Sequence, residues 1–380
     1  MSPEKSKTVM IVAGEASGDM HGASLVREMQ KMDSSLNFYG IGGNRLQEAG
    51  VKLMANASEM AVVGLTEVIV KLGKFITVLN LMKKSLDDVK PDLVILIDYA
   101  GFNLRLAKAA YQRGIKVFYY ISPQVWASRQ GRIQQIKKFV NKMAVILPFE
   151  VDTYARKGFA VEYVGHPLLD LVTTEYSRLE SRKKFGLVEN ITTIGLLPGS
   201  RTSEVVKLLP EMLKAAEIMA QKTPDIQFIL PLADTLDEKN VADIISGSAI
   251  KVNIIKGRTY DVISCADLAI VASGTATLET ALLGIPMIIV YKISPLTYFI
   301  GKMIITVKNI GIVNIIAGKT IVPELIQNEA NGPRIADEAL AILTNDERRR
   351  EIIADLAEIR AKLGTPGAAI RAAKLAGDML

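Results

Sequence analysis

Residues 8–19 read TVMIVAGEASGD, and this stretch sets the fold class. The unbroken apolar, partly β-branched run over residues 8–13 suits a strand buried on both faces. Gly14 and Gly18 then permit a tight turn into a helix expected over residues 18–30. Strand, glycine turn and helix in this order open a doubly wound α/β domain.

Outward from that turn the pattern repeats. Short apolar runs predict strands at residues 93–97, 117–121, 143–147 and 161–164, each closed by a turn containing Gly, Pro or Asp, with room between them for crossover helices. Past Gly165-His166-Pro167, the polar stretch 173–184 reads as a domain connection. The alternation then restarts, with strands expected at 193–197, 227–231, 252–255, 268–271 and 287–291. Two Rossmann-like, doubly wound parallel-sheet domains are therefore expected over residues 1–170 and 171–345, followed by helices over 346–380. Whether those last helices return to the first domain is not legible in their pattern. The glycine-rich Gly40-Ile41-Gly42-Gly43 only half resembles a dinucleotide fingerprint and reads as a turn.

Composition narrows the function. The chain of 380 residues has one cysteine and two histidines, which excludes an internal disulfide framework and a typical zinc site. The net charge is +6, yet residues 99–149 contain no Asp or Glu and nine basic residues, which leaves the remainder at −3. Such a segment is either an attractor for phosphate, nucleic acid or an anionic membrane, or an ordinary solvated face. The opening MSPEKSKTVMIVAG does not read as a signal peptide, because its apolar run is too short. The most apolar stretch, residues 61–82, carries 14 apolar residues of 22 but is interrupted by Glu67, Lys71 and Lys74, which argues against a membrane span. Beside Lys71, Lys74, Lys83 and Lys84 it suits a helix lying in a membrane interface or holding acyl chains, the competing reading being burial in a domain or dimer interface. A second apolar stretch, residues 295–307, reads as packing in a domain or homodimer interface.

Ligands of such domains bind beyond the carboxyl ends of the strands. Glu15 and Asp19 beside the first helix would repel a pyrophosphate there. Asp98 ends an apolar strand in LIDYAGFN, where it serves either as a general base or as a cap of the next helix. Ser200 and Arg201 in LPGSR, and Ser273, Gly274, Thr275, Ala276 and Thr277 in ASGTATLE, place small donors and one guanidinium at two strand-to-helix turns. Two such turns favour a nucleotide diphosphate, with Glu279 one turn further on for ribose hydroxyls. His21 and His166 are either substrate contacts or packed residues.

Taken together, AGEASGD, IDYAGFN, ISPQVWA, LPFE, VGHP, LPGSR and SGTATLE, with GIPMIIVYKISPLTY, NIIAGK and VPELIQ, closely resemble the lipid-A-disaccharide synthase family, in the same order from residue 12 to about 327. The resemblance implies a GT-B glycosyltransferase. It implies transfer from UDP-2,3-diacylglucosamine to 2,3-diacylglucosamine 1-phosphate, giving a β-1′,6-linked disaccharide phosphate and UDP, in the lipid A pathway of Gram-negative bacteria. Neither metal nor cofactor is expected, and nucleic acid is not an expected partner. An anionic inner-membrane surface is the expected cytoplasmic location, with the acceptor in the first domain and UDP in the second. Asp98 becomes the candidate base, with substrate contacts expected from Glu15, Ser17, Asp19, Asn103, His166 and Asn314 besides the two turns. The motif departs at Gly101, where many members carry a second Asp; if that second carboxylate is the essential one, Glu15 or Asp19 is the alternative base. The rival readings are another GT-B enzyme such as a UDP-N-acetylglucosamine 2-epimerase, an NAD-dependent oxidoreductase, and a non-catalytic membrane-binding protein.

Overall fold

The structure, a computed structural model, describes residues 6–57, 68–123, 131–294 and 309–380, and the side chains of all of these but 68–72. The chain forms two compact units, Met1–Pro167 with Thr365–Leu380, and Leu168–Gly364.

The first unit is built on seven parallel strands: β1 (Thr8–Ala13), β2 (Asn37–Gly42), β3 (Lys52–Asn56), β4 (Leu93–Ile97), β5 (Lys116–Tyr120), β6 (Lys142–Val145) and β7 (Glu162–Tyr163). They lie in the order β3-β2-β1-β4-β5-β6-β7. Every residue of β4, and all of β1 past Thr8, is buried. That burial explains their apolar sequences, since each Val, Leu or Ile removed from water contributes ~1.5–3 kcal/mol. The direction of winding reverses between β1 and β4, which opens a crevice at their carboxyl ends. Helices α1 (Ala16–Met32), α2 (Asn44–Glu48), α3 (Val68–Val89), α4 (Ala100–Tyr111), α5 (Arg132–Phe139) and α6 (Pro148–Ala155) make the crossovers.

Two strands of this unit escape the sequence reading. The glycines at 40–42 belong to β2, where a turn was expected, and β3 follows. At Gly40 the backbone approaches β1 so closely that a Cβ would lie 1.9 Å from the Ile11 carbonyl oxygen, so glycine here serves strand packing.

The second unit begins with α7 (Leu168–Leu171) and α8 (Arg178–Lys184), so the stretch expected as a polar connection is partly helical. Ser177 caps α8 and forms a capping box with Glu180, and the buried Asp261 accepts from the amides of Glu175 and Tyr176 at 2.9 and 3.1 Å. Its sheet is β8 (Thr192–Leu197), β9 (Ile226–Leu232), β10 (Val252–Lys256), β11 (Leu268–Ala272), β12 (Met287–Tyr291) and β13 (Glu324–Ile326), all parallel, in the order β10-β9-β8-β11-β12-β13. Here the switch point lies between β8 and β11. The helices are α9 (Thr202–Lys222), α10 (Glu238–Ser246), α11 (Thr259–Ser264), α12 (Thr275–Leu282), α13 (Ile312–Ala317), α14 (Gly332–Leu343) and α15 (Asp346–Lys362).

The last helix, α16 (Ala368–Gly377), belongs to the first unit and packs on α1. Lys7 Nζ donates to the Leu380 carbonyl at 2.7 Å, and Arg371 Nε to that of Val164 at 2.8 Å. Helix α15 stays in the second unit, against α12, α13 and α14.

Candidate active site

The switch point of the first sheet gathers Gly14, Glu15, Asp98 and Tyr99, because Ala13 and Ile97 are register partners on β1 and β4. Asp98 and Tyr99 both have left-handed backbones, φ 45° and 42°, a conformation that costs free energy in non-glycine residues and concentrates at functional sites. The Tyr99 ring lies over Gly14, where a Cβ would come 2.4 Å from its Cγ. Tyr99 also stacks on Phe102, centroids 5.9 Å apart, and Phe75 of α3 meets Phe102 edge-on at 5.4 Å. An aromatic wall therefore runs from the crevice to α3.

Asp98 is half-buried. Loss of solvation, with the nearby Glu15 charge second, pushes its carboxyl up to about 6, against a lowering bond from the Tyr99 amide. A carboxylate with that proton affinity is suited to accept a proton near neutral pH. It caps no helix with its side chain: the N-cap of α4 is Tyr99.

Other expected contacts in this unit are engaged internally. Both Asp19 carboxylate oxygens are used, accepting from the amides of Gly43 (2.6 Å), Arg45 (3.1 Å) and Leu46 (3.1 Å), so Asp19 caps α2. The buried Asn103 donates its amide to the carbonyls of Ile97 and Asp98, at 3.0 and 2.8 Å. Glu15 is exposed and Ser17 half-buried at the start of α1. His21 and His166 are both buried. Burial lowers His21 to about 4 and, with the His21 charge as second cause, His166 to about 3, so both are neutral imidazoles.

Gly101 opens α4 with nothing within 4 Å of a Cβ built on it. The basic segment divides: Arg113 holds Asp87 through two bonds of 2.7 and 2.8 Å, whereas Arg105, Lys108, Lys137 and Lys138 are exposed on α4 and α5.

In the second unit, the turns after β8 and β11 lie side by side at the switch point, since β8 and β11 are paired. Gly199 has φ +108°, an angle that favours glycine, and it lies against the Glu204 side chain. Arg201 is the N-cap residue of α9, and it pairs with Glu204 at 3.1 Å. Thr275 is exposed and Ser273 half-buried, but the Thr277 hydroxyl is buried and donates to the Gly274 carbonyl at 2.8 Å. Glu279 is half-buried; burial raises its carboxyl, opposed by a 3.2 Å bond from the Tyr260 hydroxyl.

Asn314 lies on α13, which packs against α12. Its amide donates to the Val322 carbonyl (2.9 Å) and Glu324 (2.7 Å), and its oxygen accepts from the amides of Ile321 (2.8 Å) and Val322 (3.1 Å). It braces the approach to β13. Sequence reading did not single out Tyr99, Tyr119 or Tyr260, whose parts depend on which strand ends lie together.

Two doubly wound parallel sheets, each with a switch point at its centre, give the chain the GT-B fold. The model of the lipid-A-disaccharide synthetase family matches residues 9–376, and the chain belongs to that family, as a hexosyltransferase. A lipid-A-disaccharide synthase of Syntrophus aciditrophicus is 57% identical over 98% of this chain and 97% of its own. Among solved structures, the glycotransferase of kitacinnamycin superposes with a TM-score of 0.62 at 14% identity, over 100% of both chains. A UDP-N-acetylglucosamine 2-epimerase from Listeria monocytogenes does so with 0.61 at 14%, over 97% of this chain and 94% of its own. These two likenesses are of fold alone.

Proposed function

We propose that the enzyme condenses UDP-2,3-diacylglucosamine with 2,3-diacylglucosamine 1-phosphate. Asp98 carries this reading: a half-buried carboxylate at the first switch point with its proton affinity raised to about 6. It takes the proton of the acceptor 6-hydroxyl while that oxygen bonds to the donor's anomeric carbon. The bond from that carbon to the diphosphate oxygen breaks, and UDP leaves with the bonding pair; a single displacement inverts the centre. Ser200, Arg201, Ser273, Gly274, Thr275 and Ala276 hold the diphosphate, and Glu279 the ribose. Glu15, Ser17 and His166 line the acceptor side. Asp19, Asn103 and Thr277 bond to the main chain at the start of α2, at the end of β4 and at Gly274, and Asn314 bonds to the approach to β13.

The acceptor's acyl chains and the membrane belong to α3. Its exposed Ile76 and Leu81, 48% and 41% accessible, beside exposed Lys74 and Lys84, favour peripheral contact with an anionic inner-membrane surface on its cytoplasmic face. No described helix is long and apolar enough to cross a membrane. Replacing Val68, Ile69 and Leu72 by Ser is expected to abolish vesicle binding while folding is kept; unfolding would mean that they are core. The second apolar stretch, 295–307, proposed for interface or homodimer packing, lies outside the described residues.

Two variants test the roles. Asp98→Asn removes turnover with UDP affinity nearly unchanged, whereas Arg201→Ala weakens both. A general base contributes ~10²–10⁴-fold, so an Asp98→Asn enzyme with more than about a tenth of the rate would contradict the assignment.

A further inference from the structure

We infer that Tyr119 is a positioning residue for the transfer: its hydroxyl, with Asn103, clamps the main chain of Asp98 in the conformation that carries the base. The inference rests on the reading of Asp98 as base and goes one step behind it.

Three non-glycine residues with positive φ meet at the carboxyl ends of neighbouring strands: Asp98 (45°) and Tyr99 (42°) after β4, and the β-branched Ile121 (64°) after β5. Such angles persist only where the surroundings over-determine them. Here each Asp98 main-chain group is held. Its N–H donates to the Ile121 carbonyl at 3.2 Å, and Ile121 N–H in turn donates to Ala144 on β6 at 3.0 Å. Its carbonyl accepts from Asn103 Nδ2 at 2.8 Å and from the Tyr119 hydroxyl at 2.5 Å. Asn103 Nδ2 also reaches the carbonyl of Ile97, which ties the last residue of β4 to the same clamp.

Tyr119 is fully buried and lies in register with Leu96 on the adjacent strand, so its ring reaches along β4 to the strand's end. A phenylalanine would fill the same core volume. The hydroxyl adds a buried polar atom, and its partner is the carbonyl of the candidate base. Removing it frees one of the two bonds to the Asp98 carbonyl, and a shift of about 1 Å in a reacting group can lower a rate ~10²-fold.

The test is Tyr119→Phe in wild-type and Asp98→Asn backgrounds, assayed by UDP release from the two acylated glucosamine substrates, with UDP affinity and thermal melting measured alongside. In the wild-type background kcat should fall roughly tenfold, with KM within about twofold and UDP affinity unchanged. In the Asp98→Asn background Tyr119→Phe should cause no further loss, because it acts through that residue. An unchanged kcat, or losses that multiply in the double variant, would overturn the inference and leave Asp98 as base. Asp98→Asn with near wild-type turnover would instead overturn the base itself, whatever Tyr119→Phe does. Should Tyr119→Phe fail to fold, Asn103→Ser removes the other donor to the same carbonyl and must give the same kcat-only loss, absent in the Asp98→Asn background.

Discussion

The hydroxyl of Tyr260 on α11 donates to Oε1 of Glu279 on α12 across 3.2 Å, joining two helices that follow different strands of the second sheet. If Glu279 receives the ribose hydroxyls, this bond fixes the acceptor oxygens for them. Tyr260→Phe should weaken UDP binding by about 1 kcal/mol, roughly fivefold, as read by titration calorimetry. It should also raise further the proton affinity of Glu279, which burial already raises and the tyrosine restrains. Unaltered UDP affinity would remove Glu279 from the ribose.

Asp98 and Glu15 stand beyond paired residues of β1 and β4, and the Glu15 charge is the second cause of the raised Asp98 proton affinity. A base with its carboxyl near 6 in the free enzyme must be ionised to work, so kcat/KM should decline as pH falls through about 6. Glu15→Gln withdraws a like charge, which lowers the Asp98 pKa and moves that acid limb to lower pH. A limb that stays in place would show that Glu15 does not act on Asp98.

Gly101 offers a sharper check of which carboxylate matters. Nothing lies within 4 Å of a Cβ built there, and the position is in the first turn of α4, where an acid complements the helix dipole by ~0.3–1 kcal/mol. Gly101→Asp should therefore fold, melt slightly higher and keep its rate within about threefold. Combined with Asp98→Asn it should not restore turnover; restored turnover would transfer the role of base to that position.

His21 and His166 make the first unit sensitive to acid. Burial holds both imidazoles neutral, at about 4 and about 3, against about 6.5 in an unfolded chain. Folded values below the unfolded one mean that this stability is fully present above pH ~6.5 and is lost as pH falls toward the folded values. Each pH unit in that window costs ~1.4 kcal/mol per histidine, so on the order of 2 kcal/mol each is gone by pH 5. Asp98, shifted the other way, offsets part of that loss. The urea midpoint of His21→Gln should fall less than that of the native chain between pH 7 and 5; an equal fall would mean that His21 does not titrate with unfolding.

The strands were readable where burial on both faces leaves a continuous apolar run. The runs at 8–13, 93–97 and 287–291 coincide with β1, β4 and β12. β2 was missed because close packing against Ile11 demands glycine, and glycine in sequence reads as a turn. β13 was missed because three residues, Glu324–Ile326, are too few for a period. That Asp98 and both turns of the second unit follow strand ends, with Glu279 one turn into the next helix, was legible from motif and position. The tasks of Asp19, Asn103 and Asn314 were not, because a polar side chain near a site bonds equally well to a ligand or to a turn brought beside it by folding. Tyr119 carries no sequence mark, since a tyrosine in a buried strand reads as one more apolar residue.

The central claim is that this chain joins two acylated glucosamines. Its most direct test is UDP release with UDP-2,3-diacylglucosamine and 2,3-diacylglucosamine 1-phosphate together, set against the same reaction with unacylated UDP-glucosamine and with the acceptor omitted. Release only when both acylated substrates are present, with a disaccharide phosphate formed in equal amount, is the predicted result. Equal release from the unacylated donor, or release without acceptor, would contradict it.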